Sequence, residues 1–501
     1  MPDNLEPFAF SRRPTLADAP WHRHEGLALA AGALRWDHAR LHALSAARAR
    51  HLLQTGLMPG QVVICPVHPA AELILMQHAL ARAGAALLPV RVGPDDANAG
   101  ALIRATGAEW TWRPSDASDE PRADAGRLEP TGAGRDQTGP TPAAPERPGA
   151  GADPLALLVR TSGSAGQPKV AMLSAGNLLA SAAAINDRLG LGAGDAWLGV
   201  LPRQPVGGLA IGWRCALAGA GLVAHETFDV PAVRAELETP AAAAITHLSL
   251  VPPMLARLLE AGAEPPPSLR VVLLGGQALD PALARRAVAA GWPLVMGYGM
   301  TETGSMIAGG WVGQDGDVAL APLPGVELDC PGCDAAGAPA ASGPPLRIRG
   351  PMLMAGYANP RRSRGDGLDA GGWLVTSDLA CREAGGRLRV LGRADDCLVI
   401  GGVNVPPAQV ERALSAAPGI GDVAVIGVPE PVWGHRLVAV YTGPIAAADL
   451  DAWCRAHLPG AERPRGFRRV ARLPLLPSGK LDRRALAGVG TARTGERDGY
   501  E

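Results

Sequence analysis

The 501-residue sequence predicts an α/β protein of more than one domain, and three observations carry that expectation. Helical stretches with an apolar face alternate with short apolar runs of strand length, the grammar of helices packed on sheets. The length exceeds what one hydrophobic core ordinarily supports. Residues 393–501 have the size of a domain of their own.

Taken in order, LRWDHARLHALSAARARHLLQTGLMPGQVVICP, from Leu34, reads as an amphipathic helix, a Pro-Gly turn and a buried strand. AAELILMQHALARAGAALLPV, from Ala70, repeats the unit; its Glu72, His78 and Arg82 mark a helix followed by a strand, not a membrane span. From Arg113 to Pro154 the chain is rich in Pro, Gly and charge and poor in large apolar residues, so a mobile surface excursion is expected at 113–154. Strand-like runs (LALLVR, VVLLGG, LVMGYG, LRIRG) then alternate with helical stretches to about residue 390. The last segment opens at LGRADD, contains the strand candidate DVAVIGV and ends in a polar tail after Leu486. The boundary is expected at 392/393, and no internal repeat stands out.

A formal charge of −1 gives no global basic field, which argues against nucleic acid or an anionic membrane as partner and favours a small molecule. The start, MPDNLEPFAFSRRP, lacks the basic and apolar regions of a secretory signal, so a cytoplasmic location is expected, and seven cysteines fit it. Cys330 and Cys333 form a CPGC that reads as a turn with two reduced thiols, and no structural metal is expected.

The cations are unevenly divided: lysine occurs at 169 and 480 alone, every other cation being arginine. The first lysine closes LLVRTSGSAGQPK, an apolar strand followed by a loop with hydroxyls at Thr161, Ser162 and Ser164. Glycines 163 and 166 allow backbone N–H groups to close on an anion, and Ser174 is an N-cap for the next helix. Lys169 follows Gly166 by three residues, unlike the lysine of a GxxxxGK[ST] loop, and by itself such a segment is as readily an ordinary polar turn.

The loop resembles the TSGSTGxPKG signature of the adenylate-forming superfamily, which includes acyl-CoA synthetases, peptide-synthetase adenylation domains and luciferases. Five further blocks follow in family order: LLGGQAL (273–279), GYGMTETG (297–304), GGWLVTSDLA (371–380), LGRADDCLVIGGVNVPPAQVE (391–411) and LPSGKLDRRAL (476–486). The resemblance implies a large N-terminal domain of packed sheets and helices with a small mobile α+β C-terminal domain. It also implies ATP, Mg²⁺ and CoA as reactants and cofactor, a carboxylic acid as partner, and activation of that acid as an acyl-adenylate before thioester formation.

By the same resemblance, Thr161, Ser162, Gly163, Ser164, Gly166 and Lys169 hold the β- and γ-phosphates, Thr301 meets the α-phosphate and Glu302 holds Mg²⁺. Taken alone, Glu302 would be a solvated helix-end acid. Asp378 matches the aspartate that accepts from the ribose hydroxyls, with Arg393 beside it. Gly275, Gly276, Gln277, Tyr298 and Gly299 fall in the adenine-enclosing segments; Gln277 stands where relatives often carry Ala, and Ser377 replaces the usual Gly before Asp378. Asp395 matches the hinge, Gly401 and Gly402 the route of the pantetheine arm, and Lys480 the mobile catalytic lysine. Both lysines thus fall where a compact, flexible ammonium can follow oxygens that move as phosphorus changes geometry.

In the members of the superfamily that activate amino acids this segment carries an Asp for the substrate ammonium; the corresponding stretch 197–223 has no acid, so the resemblance makes a free amino acid a poor candidate. THLSLVPPMLARLL (246–259), VIGGVNVPPAQVER (399–412) and VPEPVWGHRLVAV (428–440) resemble the o-succinylbenzoate–CoA ligases of menaquinone biosynthesis. An aromatic dicarboxylate needs a contact for the carboxylate that is not activated, and Arg214, His247 and Gln204 are the acyl-side candidates. A structural ion pair for Arg214 and a satisfied core position for His247 are the competing readings. LPRQPVGG (201–208) departs from the family's LPLFHxSG, so either the pocket suits another acid or Arg203 and Gln204 take over its polar contacts. Another aryl- or acyl-CoA ligase, an enzyme that loads a carrier protein, and an inactive nucleotide-binding protein are the alternatives, and assembly into a homo-oligomer is left open.

Overall fold

The computed structural model describes residues 24–91, 99–115, 121–131, 153–161, 169–330, 344–359, 361–400, 403–430, 434–474, 481–482 and 485–486. Two large mixed sheets form its body. The first has nine strands, of which six, running from Leu294–Met300 through Val271–Leu274, His247–Leu250, Ala196–Gly199 and Gly221–Ala224 to Leu27–Ala31, pair in parallel. The second has seven, with Leu155–Arg160, Ala86–Val90, Val62–Pro66 and Trp110–Arg113 parallel at its centre. Strands buried on both faces need continuous apolar runs, and VVLL at 271–274 supplies one.

The helix Ala70–Ala83 touches strands of both sheets, and all of its 14 residues except Arg82 are buried. It therefore has no ordinary polar face. Its Glu72 is kept inside by partners: Arg48 lies 2.6 Å from Oε1, and the Trp112 indole N–H donates to the same oxygen at 2.8 Å. A charge can stay in a core only when paired in this way. The helix-and-strand units expected within 34–66 and 70–90 are present, as the helices His38–Gln54 and Ala70–Ala83 and the strands Val62–Pro66 and Ala86–Val90.

One expectation fails in part. Arg127–Pro130 lies inside the supposed excursion, yet it is an edge strand paired antiparallel with Trp110–Arg113. Arg48 also donates to the carbonyls of Arg122 and Ala123. Backbone pairing and a buried guanidinium order this piece without a large apolar content. Residues 116–120 and 132–152 lie outside the described residues.

The C-terminal part is built differently. Val403–Val405, Leu398–Ile400, Gly434–Tyr441 and Val423–Glu430 form an antiparallel run that Gly466–Arg469 joins in parallel, with the helices Pro407–Leu414 and Ala447–His457. Val410, Leu414, Val425, Leu437, Leu450 and Cys454 make a core separate from those of the two large sheets. The hairpin of Asp378–Arg382 and Leu388–Arg393 leads into it.

Among the described residues no helix is long and apolar enough to cross a membrane. Cys330 carries a free thiol and Cys333 lies outside the described residues. The fully buried Cys381 is disulfide-bonded.

Candidate active site

The site forms where strands of both large sheets end. Thr161 follows Leu155–Arg160, Gly275 follows Val271–Leu274, and Thr301 follows Leu294–Met300. Carboxyl ends of parallel strands are the usual place for a ligand crevice in such sheets, because loops can diverge there without breaking the layers.

The two ends of the phosphate-type loop are fixed by the strands that flank it. Arg160 and Val170 are register partners, the Thr161 N–H donates to the Lys169 carbonyl at 2.8 Å, and the Thr161 hydroxyl reaches the same oxygen at 3.3 Å. Ser162, Gly163, Ser164 and Gly166 lie between these anchors and outside the described residues. Ser174 caps the following helix as expected, with a reciprocal bond to Asn177.

The segment 297–304 turns sharply from one strand into the next. The Thr303 hydroxyl accepts from the Met300 N–H at 3.1 Å and is 2.7 Å from the Ser305 carbonyl, while Gly304 adopts φ +66° to end the turn. Gly299 is required by contact: a Cβ there would lie 2.0 Å from the Ser305 carbonyl oxygen. The turn presents Thr301 and Glu302, and the Met354 N–H donates to the Glu302 carbonyl at 2.7 Å.

Glu302 meets a residue that motif reasoning missed. The Tyr357 hydroxyl donates to Glu302 Oε1 at 2.8 Å, and Lys169 Nζ stands 4.7 Å from the centre of the same ring. Burial, reinforced by the Glu302 charge, pushes the Tyr357 phenol well above its ordinary range, so it is the donor. Glu302 Oε2 has no protein partner among the described residues, where no group of three or more His, Cys, Asp or Glu is placed to hold a metal ion. One carboxylate with an open oxygen suits Mg²⁺, which takes one or two protein carboxylates and fills its remaining positions with phosphate oxygens and water.

A second carboxylate organises the far side. The Tyr298 hydroxyl donates to Asp378 Oδ2 at 2.5 Å, and Arg393 stands 3.5 Å from Oδ1. Burial and the Asp378 charge hold the Tyr298 phenol far above its usual range. Arg393 is held mainly by Asp395, through Nε at 2.8 Å and a terminal nitrogen at 2.6 Å, and this bond raises its pKa further. The guanidinium therefore bridges the aspartate expected at the ribose and the aspartate expected at the hinge. Gly275 and Gly276 follow the neighbouring strand, Gly276 at φ +83° and Gln277 half-buried beyond it.

The acyl-side expectations divide. His247 is fully buried: Nδ1 lies 2.8 Å from the Thr246 hydroxyl, Nε2 lies 3.2 Å from the Leu189 carbonyl, and the ring stacks on Trp197. Both nitrogens are occupied, so it is a core histidine and not a substrate contact. Arg203 is also committed, donating to the carbonyls of His225 and Glu226 and to the Glu226 carboxylate, and cannot take over a pocket contact. Gln204 remains half-buried beside it.

Arg214 is different. It is 1% exposed, bonds the Ser305 hydroxyl at 2.5 Å, lies over Trp197, and leaves Nε without a partner. Among the described residues no carboxylate pairs with it, which removes the ion-pair reading. Burial lowers its pKa to about 10, which still leaves it charged at neutral pH. Gly401, Gly402 and Lys480 lie outside the described residues.

Residues 20–358 match the AMP-binding enzyme family and residues 409–480 the AMP-binding enzyme C-terminal domain. A 2-succinylbenzoate–CoA ligase of Bacillus cereus is 30% identical over 466 residues, 89% of this chain and 92% of its own. That of Bacillus subtilis is 32% identical over 354 residues, 69% and 70% of the two chains. Among solved structures, o-succinylbenzoate CoA synthetase (MenE) from B. subtilis with the acyl-adenylate intermediate OSB-AMP superposes with TM-score 0.73 at 26% identity, over 94% of this chain and 97% of that one. ATP-bound MatB from Rhodopseudomonas palustris shares the fold, with TM-score 0.76 at 24% identity over 94% and 98%.

Proposed function

The chain belongs to the AMP-binding enzyme family, and on that premise we propose that it is an AMP-forming acid–CoA ligase whose acid is o-succinylbenzoate. The carboxylate attacks the α-phosphorus of ATP, pyrophosphate leaves, and the CoA thiolate then attacks the acyl carbon and expels AMP. The observation that carries this reading is the meeting of Lys169, from one sheet, with the Glu302 turn of the other across the Tyr357 ring. An ammonium and an acid held near each other but apart suit a polyphosphate that arrives with a divalent cation.

In this reading the 161–169 loop and Lys169 take the β- and γ-phosphates, Thr301 donates to the α-phosphate, and Glu302 holds Mg²⁺. When bound, Mg²⁺ neutralises charge on the phosphate oxygens. Asp378 accepts from the ribose hydroxyls, which must displace the Tyr298 bond or share its oxygen, while Arg393 supports the other oxygen. Tyr298, Gly275, Gly276 and Gln277 enclose the base, with Gly299 behind them. Residues 1–392 form the large domain and 393–501 the small one, hinged at Asp395; Lys480 reaches the reacting carboxylate in one orientation, and Gly401 and Gly402 line the thiol path in the other. The need for ATP and CoA makes the cytoplasm the place of action.

The names of the relatives and the unpaired buried Arg214 support a dicarboxylic acid, whose second carboxylate would complete Arg214. Pro205 and the committed Arg203 in LPRQPVGG favour, as a second reading, a different aromatic acid in a remodelled pocket. Incubation with ATP, Mg²⁺, CoA and o-succinylbenzoate, read by mass, separates them: the CoA thioester is the expected product. Its absence, with pyrophosphate released for another aryl acid, would replace the substrate while leaving the chemistry.

A further inference from the structure

We propose that Tyr357 is a positioning residue that couples polyphosphate binding at Lys169 to divalent-cation binding at Glu302. The inference rests on the function proposed above and assigns the coupling to one side chain.

The ring is held on several sides. Tyr357 pairs in register with Ala171, two residues beyond Lys169, and its N–H donates to the Asp366 carbonyl at 2.8 Å. Gly367, at φ +83°, lies flat against it, since a Cβ there would sit 2.3 Å from the ring carbon Cδ2. Tyr357 thus sits on an edge strand of the second sheet beside the strand that Lys169 leads into, with Gly367 in the turn behind the ring. The hydroxyl points from there to Glu302, which belongs to the turn ending the first sheet.

The two contacts differ in kind, and the difference does the coupling. The ammonium rests on the π face at 4.7 Å, an interaction weak enough to be exchanged for phosphate oxygens. The hydroxyl bond to Oε1 is charge-assisted and directional, so it fixes the carboxylate plane and leaves Oε2 for a cation. Lys169 and Glu302 form no ion pair with each other among the described residues; each meets a different part of Tyr357, the ring face and the hydroxyl. A direct pair would neutralise both and leave neither for nucleotide or metal.

Tyr357→Phe keeps the ring and removes the hydroxyl, whereas Tyr357→Leu removes both. Binding of ATP to the full chain is measured calorimetrically with and without Mg²⁺, beside the thermal midpoint of each variant. For Tyr357→Phe the expected result is a roughly tenfold higher Mg²⁺ concentration for half-maximal tightening of ATP binding, with metal-free ATP binding unchanged. Tyr357→Leu should show the Mg²⁺ shift and also alter metal-free ATP binding severalfold. A wild-type Mg²⁺ dependence in Tyr357→Phe would overturn the inference, as would equal losses with and without metal in both variants. If the wild type itself shows no Mg²⁺-dependent ATP binding, the proposed function fails first and the coupling with it.

Discussion

Arg214 concentrates the question of substrate in one guanidinium. It is charged, almost wholly buried, and met by a hydroxyl and an indole face in place of an acid. Such a group is costly to keep unless a ligand completes it. Arg214→Leu, which retains apolar bulk, should raise KM for the dicarboxylic acid by about 10- to 100-fold, the weight of a charge-assisted bond, while ATP binding is unchanged. An unaltered KM would remove Arg214 from the acyl site. Legibility at this scale followed rarity. With lysine at two positions, both fell in motifs, and the same logic applied to tyrosine would have found Tyr357, since two of the chain's four tyrosines bond site carboxylates. For His247 the competing reading of a satisfied core position held, and for Arg203 one of the two alternatives fell, neither being decidable from the chain because a strand histidine or loop arginine announces no partner; the carbonyls of Leu189, His225 and Glu226 that satisfy them come from other elements.

At the scale of elements, the helix Ala70–Ala83 shows what two-sided burial costs. His78 is 4% exposed, and burial, with the nearby Arg82 charge, lowers its pKa from 6.5 to about 3. The unfolded chain therefore binds this proton near pH 6.5 while the folded one resists it. The preference for the neutral ring is fully present above pH 6.5 and is lost as pH falls from there toward 3, by up to a few kcal/mol. Denaturant titrations of His78→Phe and wild type should show the variant losing less stability between pH 6.5 and 4; parallel losses would contradict the assignment. The sequence declared this helix by length and apolar content, but its burial between sheets depends on the second sheet. Arg127–Pro130 was illegible for the complementary reason, since an edge strand is held by backbone pairing that composition does not display.

At the scale of the whole molecule, the hairpin that ends at Arg393 leads from the two-sheet body into a smaller part with its own core. That arginine holds Asp395 with two bonds and lies 3.5 Å from Asp378, so the join and the nucleotide side share one cation. The α/β body was readable because alternation and segment length are properties of the chain itself, whereas the α+β character of the tail came only with the family resemblance. The relation between them was not readable, since a swivel is set by contacts that form and break. In the proposed mechanism Lys480 serves the first half-reaction alone. Lys480→Ala should abolish pyrophosphate release from ATP and acid, yet form the thioester from supplied acyl-adenylate and CoA at a rate near wild type. Equal loss of both half-reactions would contradict it.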